Sequence, residues 1–210
     1  ILKKFCKNLE ALHINLGLGN YSKKALTRCK KICKRLGVKL NVIEIEERLG
    51  TSIVKIFEKK KKKECKICGI LKRYMFNEFA YKNGFEILAT GQTMNDITAH
   101  AINTLFSNYL IGLKSFSPFI EGREKFVAVL KPLFFLSEEE IKKYLEVNKI
   151  PYLKEKCPYA KEAFTPNIKK FLQELENERP GVLRRIAFSL IQLSKIVEFE
   201  KELKVCKKCG

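Results

Sequence analysis

The chain has 210 residues, 46% of them hydrophobic, which is enough for a domain with a buried core. Basic residues exceed acidic ones by 19, which indicates a polyanionic partner such as nucleic acid, unless the proteome itself is lysine-rich or heat-adapted. The chain has no apolar run near the length of a membrane span and no signal-peptide pattern, so we expect a soluble, cytoplasmic protein without a membrane partner.

Hydrophobic periodicity predicts strands and helices in alternation along the chain. The predicted strands cover 9–17, 38–46, 85–91 and 125–133, and the predicted helices cover 21–37, 68–84, 95–112, 137–150, 163–181 and 182–203. Ser22 is the expected cap of the first long helix, and Gly37 is expected just past its end. The alternation predicts an α/β fold, a parallel sheet with helices on both faces.

Two glycine-bearing segments follow predicted strands, HINLGLGN (13–20) and ATGQTMND (89–96). Parallel sheets bind ligands at the carboxyl ends of their strands. Glycine there allows the backbone to approach a phosphate or a base closely. We therefore expect ligand binding at these two loops.

Eight cysteines are present. Cys65 and Cys68 have the C-x-x-C spacing of a metal or cluster site, and Cys157 stands alone before Pro158. Three thiolates can hold zinc with one open position, or a 4Fe–4S cluster with one iron free of protein ligands. From spacing alone, a structural knuckle or unligated thiols explain the same residues. Lys72 lies one helical repeat after Cys65 and supplies positive charge to that face.

The motifs together are more specific than any one of them. CKICGILKRY (65–74), LATGQTMND (88–96), KPL (131–133), CPYA (157–160) and CKKCG (206–210) occur in that order. This series resembles the tRNA 2-thiouridine synthetases of the TtuA type, in the PP-loop ATP pyrophosphatase superfamily, whose fold is adenine nucleotide alpha hydrolase-like. The resemblance covers the chain from about residue 9 to its last residue.

The resemblance implies an ATP-dependent tRNA sulfurtransferase. ATP adenylates the carbonyl oxygen of a tRNA uridine, and a sulfur atom on the open iron of a 4Fe–4S cluster then displaces AMP, so that sulfur replaces the C2 oxygen. Cys65, Cys68 and Cys157 would hold the cluster. Lys72 and Asp96 match the catalytic lysine and aspartate of the family.

Nucleotide contacts follow from the same resemblance. His13, Ile14, Asn15 and Leu16 would contact adenine through their backbone, and Gly91 would let the nucleotide approach closely. ATP would bind with Mg²⁺. The expected partners are tRNA and a sulfur source, either sulfide or a thiocarboxylated ubiquitin-like sulfur carrier, and a homodimer is the form that the family commonly takes.

The last cysteines, Cys206 and Cys209, resemble the first half of a zinc finger that binds Zn²⁺. The family's SGGxDS loop and its N-terminal zinc finger are not in the sequence, so we expect a chain truncated at both ends. The expected domains are a catalytic α/β domain (1–160), C-terminal helices (161–204) and a zinc-finger half (205–210). GQTMND departs from the usual GHNxDD at Gln92 and Asn95, although Asp96 is kept.

Two other functions fit parts of the pattern. A 2-thiocytidine-type tRNA sulfurtransferase also uses a cluster. A metal-bearing tRNA-binding module without an ATP loop would keep the cysteines and the basic charge but would not be an enzyme. The five lysines at 59–63, directly before Cys65, could bind the tRNA backbone in either case.

Overall fold

The computed structural model describes residues 2–59, 64–160 and 164–197. The helices in these ranges are α1 (Gly19–Leu36), α2 (Ile45–Leu49), α3 (Ile53–Lys59), α4 (Glu64–Lys82), α5 (Met94–Phe106), α6 (Glu138–Val147), α7 (Thr165–Glu178) and α8 (Val182–Ile196). Short 3-10 helices cover Leu2–Lys4 and Leu110–Ser115. The strands are β1 (Glu10–Asn15), β2 (Lys39–Glu44), β3 (Ile87–Ala89), β4 (Phe119–Ile120) and β5 (Ala128–Leu130).

The strands form two sheets. β1 and β2 pair in parallel, from Glu10 opposite Lys39 to Asn15 opposite Glu44, with α1 as the connection between them. The predicted parallel strand–helix–strand unit is therefore confirmed. The second sheet has the order β3-β5-β4, and β4 runs antiparallel to β5.

The chain divides into two compact units that alternate along the sequence. Unit 1 comprises 1–88, 122–128 and 138–163, and unit 2 comprises 89–121, 129–137 and 164–210. Unit 2 thus includes residues on both sides of the domain boundary predicted at residue 160. The predicted domain boundaries stay predictions.

Unit 1 has its own hydrophobic core. Its buried residues come from β1 and the loop after it and from α2, α3 and α4; they are Ile14, Leu18, Ile45, Ile53, Phe57 and Met75. Half-buried residues that pack against this core include Cys68, Cys157 and Tyr159. The segment that carries Cys157 is thereby fixed against the same core as α4.

The start of α1 differs from the prediction. The helix begins at Gly19, so Ser22 lies inside its first turn and is not the cap. The Ser22 hydroxyl is buried and accepts a hydrogen bond from the Leu18 N–H at 3.0 Å, which satisfies a donor of the entering loop. Gly37 ends the helix in the left-handed conformation, as predicted.

Helices also replace predicted loop or strand elsewhere in unit 1. The predicted strand 38–46 ends at Glu44, because Ile45 and Leu49 are four residues apart and pack into the core from one face of α2. α3 was not predicted. α4 begins at Glu64, earlier than the predicted 68, so Cys65 and Cys68 both lie in its first two turns.

Unit 2 packs α5, α7 and α8 around a second core that includes Ile97, Phe134, Leu172 and Leu183. The predicted strand 125–133 is reduced to β5. No helix of the described residues is both long and apolar enough to cross a membrane.

Candidate functional site

The CxxC pair and Cys157 come together in unit 1. Cys65 is exposed in the first turn of α4, and Cys68 lies half-buried one turn later. Cys157 begins a turn in which its carbonyl accepts from the Ala160 N–H at 3.0 Å. The Sγ of Cys65 donates to the carbonyl of Tyr159 at 3.6 Å, so the turn after Cys157 rests against the start of α4.

The three thiols lie close enough to influence one another electrostatically. Burial raises the pKa of Cys65, and the nearby Cys157 and Cys68 raise it further. Burial also raises the pKa of Cys68, and Cys157 adds to the effect. The charge of a Cys157 thiolate would therefore make both Cys65 and Cys68 harder to ionise. A cationic metal centre would reverse this effect, because it favours the thiolate form.

Lys72 is the cation of this group. It lies four residues after Cys68 on α4, and its charge opposes, without reversing, the burial that raises the pKa of Cys68 and of Cys65. The expected placement of Lys72 beside the cysteines is thus observed. Its charge can stabilise thiolates or a bound phosphate at the same point.

Two tyrosines that sequence reasoning missed border the cysteines. Tyr21 of α1 packs on the unit 1 core, and its pKa is raised by burial and then by the charges of Cys157 and Cys68. Tyr159 stacks edge-on against Phe57, with ring centroids 5.0 Å apart. No local pattern marks Tyr21, because its position depends on how it packs on the unit 1 core.

A cavity of about 300 Å³ opens beside this group. It is lined by residues from the loop after β1, from α3 and from the turn after Cys157, namely Gly17, Leu18, Gly19, Val54, Pro158 and Tyr159. The loop is the first of the two glycine-bearing segments expected to bind a ligand. Its position at the carboxyl end of β1 agrees with the usual placement of ligands in parallel sheets.

The adenine-binding segment predicted at His13 to Leu16 leads into this cavity. His13 and Ile14 are within the β1–β2 ladder. The Nδ1 of His13 lies 3.5 Å from the Cys29 sulfur, while its buried Nε2 has no hydrogen-bond partner among the residues that the structure describes. Asn15 is the last ladder residue and accepts from the Gly17 N–H at 3.3 Å; Leu16 packs against the core. The side chains of the segment thus have internal roles.

Asp96 lies in unit 2, in the first turn of α5. It completes a capping box, accepting from the Thr93 N–H at 3.0 Å, while the Thr93 hydroxyl accepts from the Asp96 N–H. Its other oxygen accepts from Lys169 Nζ at 2.5 Å. Burial raises its pKa, but the bonds from Lys169 and Thr93 outweigh burial and lower it overall. Sequence reasoning missed the Thr-x-x-Asp signature of this cap.

The other family-marked positions of unit 2 lie on either side of Thr93. Gly91 is exposed, and a Cβ there would meet no atom within 4 Å. The Asn95 amide, one of the two departures from the family motif, donates to Gln173 of α7 at 3.3 Å. That asparagine therefore has a structural role within unit 2.

The structure thus gathers Cys65, Cys68, Cys157 and Lys72 in unit 1, and Gly91 and Asp96 in unit 2. Cys206, Cys209 and four of the five lysines at 59–63 are outside the described residues. Whether they take part in a site stays a prediction.

Within the described ranges, no three His, Cys, Asp or Glu side chains are arranged to hold one metal ion. A 4Fe–4S cluster requires a different arrangement of ligands, because each cysteine ligates a separate iron and the sulfurs do not meet at one metal ion. Cys65, Cys68 and Cys157 supply three thiol groups close to one another and to Lys72. This donor set fits such a cluster.

Comparisons with known proteins show the family of the chain. A family model described as a PP-loop domain matches residues 1–174. The chain is 37% identical to the tRNA-5-methyluridine(54) 2-sulfurtransferase of Pyrococcus horikoshii, covering all of this chain and 68% of that protein. The Thermotoga maritima protein of the same name is 34% identical, with 70% of its length covered. The chain therefore belongs to the PP-loop domain family, in the class of the tRNA 2-sulfurtransferases.

A solved structure shares this fold. It is the U34-tRNA thiolase NcsA from Methanococcus maripaludis with its 4Fe–4S cluster, which matches with a TM-score of 0.83 and 25% identity over 97% of this chain and 66% of that one. The chain thus spans about two thirds of the length of these relatives. The predicted α/β fold of the PP-loop type is confirmed.

Proposed function

We propose that this chain is the catalytic part of an ATP-dependent enzyme that replaces the C2 oxygen of a tRNA uridine with sulfur. The observation that carries the proposal is the grouping of Cys65, Cys68 and Cys157 with Lys72, beside the cavity at the end of β1. The two relatives above 30% identity that are named for 5-methyluridine 54 support position 54 as the target.

The reaction has two displacement steps. In the first, the C2 oxygen of the uridine attacks the α-phosphorus of ATP, and the bond to pyrophosphate breaks. In the second, sulfide sulfur bonds to C2, the C2–O bond breaks, and AMP leaves with the former uridine oxygen. The oxidation states do not change, so no electron donor is required when sulfide is the source.

The cysteines would hold a 4Fe–4S cluster. When bound by three thiolates, such a cluster supplies one iron without a protein ligand, to which a sulfur atom can bind. The positive charge of Lys72 would partly offset the burial that raises the pKa of Cys68, and it would be available to phosphate oxygens of a bound nucleotide. Tyr159 and Pro158 would exclude water from one wall of that cavity.

The remaining residues would bind the nucleotide. The backbone of His13, Ile14, Asn15 and Leu16 would contact adenine. Contact through the backbone is consistent with the internal roles of their side chains in the fold. Gly91, which is exposed with open space where a Cβ would stand, would let the nucleotide approach closely. Asp96 would act near the phosphates, where its carboxylate can orient Mg²⁺ or the activated base.

The proposal extends to partners and to the last residues of the chain. Cys206 and Cys209 would supply half of a Zn²⁺ site. Sulfide or a thiocarboxylated ubiquitin-like protein would deliver sulfur. The enzyme would act in the cytoplasm, as the name of the related Cytoplasmic tRNA 2-thiolation protein 1 of Caenorhabditis elegans suggests, and as a homodimer.

The test uses the full-length protein, reconstituted anaerobically with iron and sulfide. It is incubated with ATP, Mg²⁺, sulfide and tRNA from cells that lack its gene, and the digested nucleosides are identified by mass spectrometry. We expect ATP-dependent 2-thio-5-methyluridine at position 54. Thiolated cytidine would contradict the proposal and assign the enzyme to the 2-thiocytidine type. Binding of tRNA without any thiolation would contradict it in favour of a non-catalytic tRNA-binding module.

A further inference from the structure

Helix α1 carries positive charge along its whole length. Seven of its 18 residues are Lys or Arg, and none is Asp or Glu. We call these seven residues the α1 basic face: Lys23, Lys24, Arg28, Lys30, Lys31, Lys34 and Arg35. All except the half-buried Arg28 are exposed. At 1.5 Å per residue, the helix is about 27 Å long.

A general excess of lysine does not explain this face. α6 carries four glutamates against two lysines, and α7 carries three glutamates against two lysines. A compositional bias would raise the positive charge of every exposed helix. Among the described helices α1 is the most basic, with seven basic residues and no acidic one, whereas α8 has three basic residues and no acidic one. This concentration points to a local function.

The α1 basic face also weakens its own helix. Lys30 and Lys34, like Lys31 and Arg35, are four residues apart, and like charges at that spacing repel each other. Glu155 relieves one end, where it pairs with Lys24 at 2.7 Å. No such carboxylate is described beside Lys30 or Lys34, so a polyanion outside the chain would relieve this repulsion.

The position of α1 relates this charge to the candidate site. Gly17, Leu18 and Gly19 line the cavity and lead directly into the first turn of α1. Pro158 and Tyr159, which follow Cys157, line the same cavity. The α1 basic face therefore starts at the cavity and runs away from it.

We propose, building on the proposed function, that the α1 basic face binds the sugar–phosphate backbone of the substrate tRNA outside the reacting nucleotide. Lysine contacts to phosphate give affinity and orientation without reading sequence. The face would hold the tRNA while the reacting base enters the cavity. A mixed-charge surface such as α6 would not take part.

The test compares two double variants of the full-length protein. Lys30→Gln with Lys34→Gln removes two charges from the α1 basic face, and Lys142→Gln with Lys143→Gln removes two exposed helical lysines from α6. Dissociation constants for tRNA are measured over a series of salt concentrations. For the first variant we expect roughly tenfold weaker binding at low salt, and a slope of log K against log salt smaller by about 1.4 to 1.8. The α6 variant should bind like the wild type.

Thermal unfolding and thiolation at saturating tRNA serve as controls for both variants. Unchanged kcat with a raised KM for the α1 variant supports the proposal. Equal affinity and equal slope for the two variants, in a protein that thiolates tRNA, would overturn the role of the α1 basic face alone. A wild-type protein that neither binds nor thiolates tRNA would overturn the proposed function as well.

Discussion

Lys169 of α7 and Asp96 of α5 form an ion pair, with Nζ and Oδ1 2.5 Å apart. About a quarter of each side chain is exposed. The second carboxylate oxygen of Asp96 accepts from the N–H and hydroxyl of Thr93. The carboxylate proposed to act in catalysis is thus held ionised and oriented by donors from two helices of unit 2.

Lys169→Met should destabilise the protein by about 1 to 2 kcal/mol at neutral pH, because it leaves a half-buried carboxylate without its cation. The folded-state pKa of Asp96 lies below its ordinary value of 3.8. The stabilisation is therefore fully present above pH 3.8 and is lost as the pH falls through the folded-state pKa. Urea unfolding at several pH values should show the difference between wild type and variant shrinking below about pH 4.

Lys170→Met is the matched control for that variant. Lys170 is the next residue of α7, is largely exposed, and approaches Glu174 at 3.9 Å. Its loss should change the free energy of unfolding by less than about 0.5 kcal/mol. Equal effects of the two substitutions would contradict the importance of the Lys169–Asp96 pair.

Asp96→Asn separates the structural role of Asp96 from its proposed catalytic role. The amide oxygen can still accept from Thr93, so the fold should persist, while thiolation should fall at least about 100-fold. Thr93→Ala removes the hydroxyl of the cap and should cost about 1 kcal/mol, with thiolation close to the wild-type rate. If both variants lose activity in proportion to stability, Asp96 has only a capping role.

Lys131 offers a test at alkaline pH. It is 5% exposed, donates to the carbonyls of Ser115 and Ser117 at 2.6 and 2.7 Å, and has a pKa that burial lowers to about 8. Because the unfolded chain holds this proton more tightly, stability should rise as the pH increases from about 8 to 10.5. The rise is at most about 1.4 kcal/mol per pH unit.

Lys131→Met should abolish that pH dependence and leave two carbonyls unpaired, at a cost of about 1 to 3 kcal/mol. The free energies of unfolding of both proteins are compared by chemical unfolding at about pH 7.5, 8.5 and 9.5, a range that spans the pKa of about 8. Parallel pH profiles for the two proteins would show that Lys131 does not titrate in this range.

Lys72→Met should separate cluster binding from catalysis. The three cysteines stay in place, so iron content should be near that of the wild type, whereas thiolation should fall by about 100-fold or more. Lys72→Arg keeps the charge and should retain part of the activity. Loss of iron in the methionine variant would show that Lys72 acts by holding the cysteines in position.

Local patterns in the sequence were sufficient for the parallel β1–β2 pair, for the end of α1 at Gly37 and for the placement of Lys72 beside Cys65 and Cys68. Periodicity and a glycine beyond the last turn are local signals. The short helices α2 and α3 escaped prediction, since five and seven residues give too few turns for a helical period to be recognised.

Tertiary contacts account for what sequence reasoning could not supply. Ser22 has the right chemistry for a cap, but the loop at Gly17 and Leu18 lets the helix begin upstream of it. The proximity of Tyr21 to Cys68 and the pairing of Lys169 with Asp96 depend on how separate helices pack. The Thr93 cap was visible as Thr-x-x-Asp, yet its aspartate had been assigned to catalysis alone.

The most direct test of the cluster site is the metal content of the anaerobically purified full-length protein. Iron, zinc and acid-labile sulfide are quantified for the wild type, for Cys157→Ala and for Cys6→Ala, whose exposed thiol serves as the control. We predict about four irons per chain, as in a 4Fe–4S cluster, in the wild type and in Cys6→Ala, and their loss in Cys157→Ala. Zinc alone, or iron that does not respond to the loss of Cys157, would contradict a cluster held by Cys65, Cys68 and Cys157.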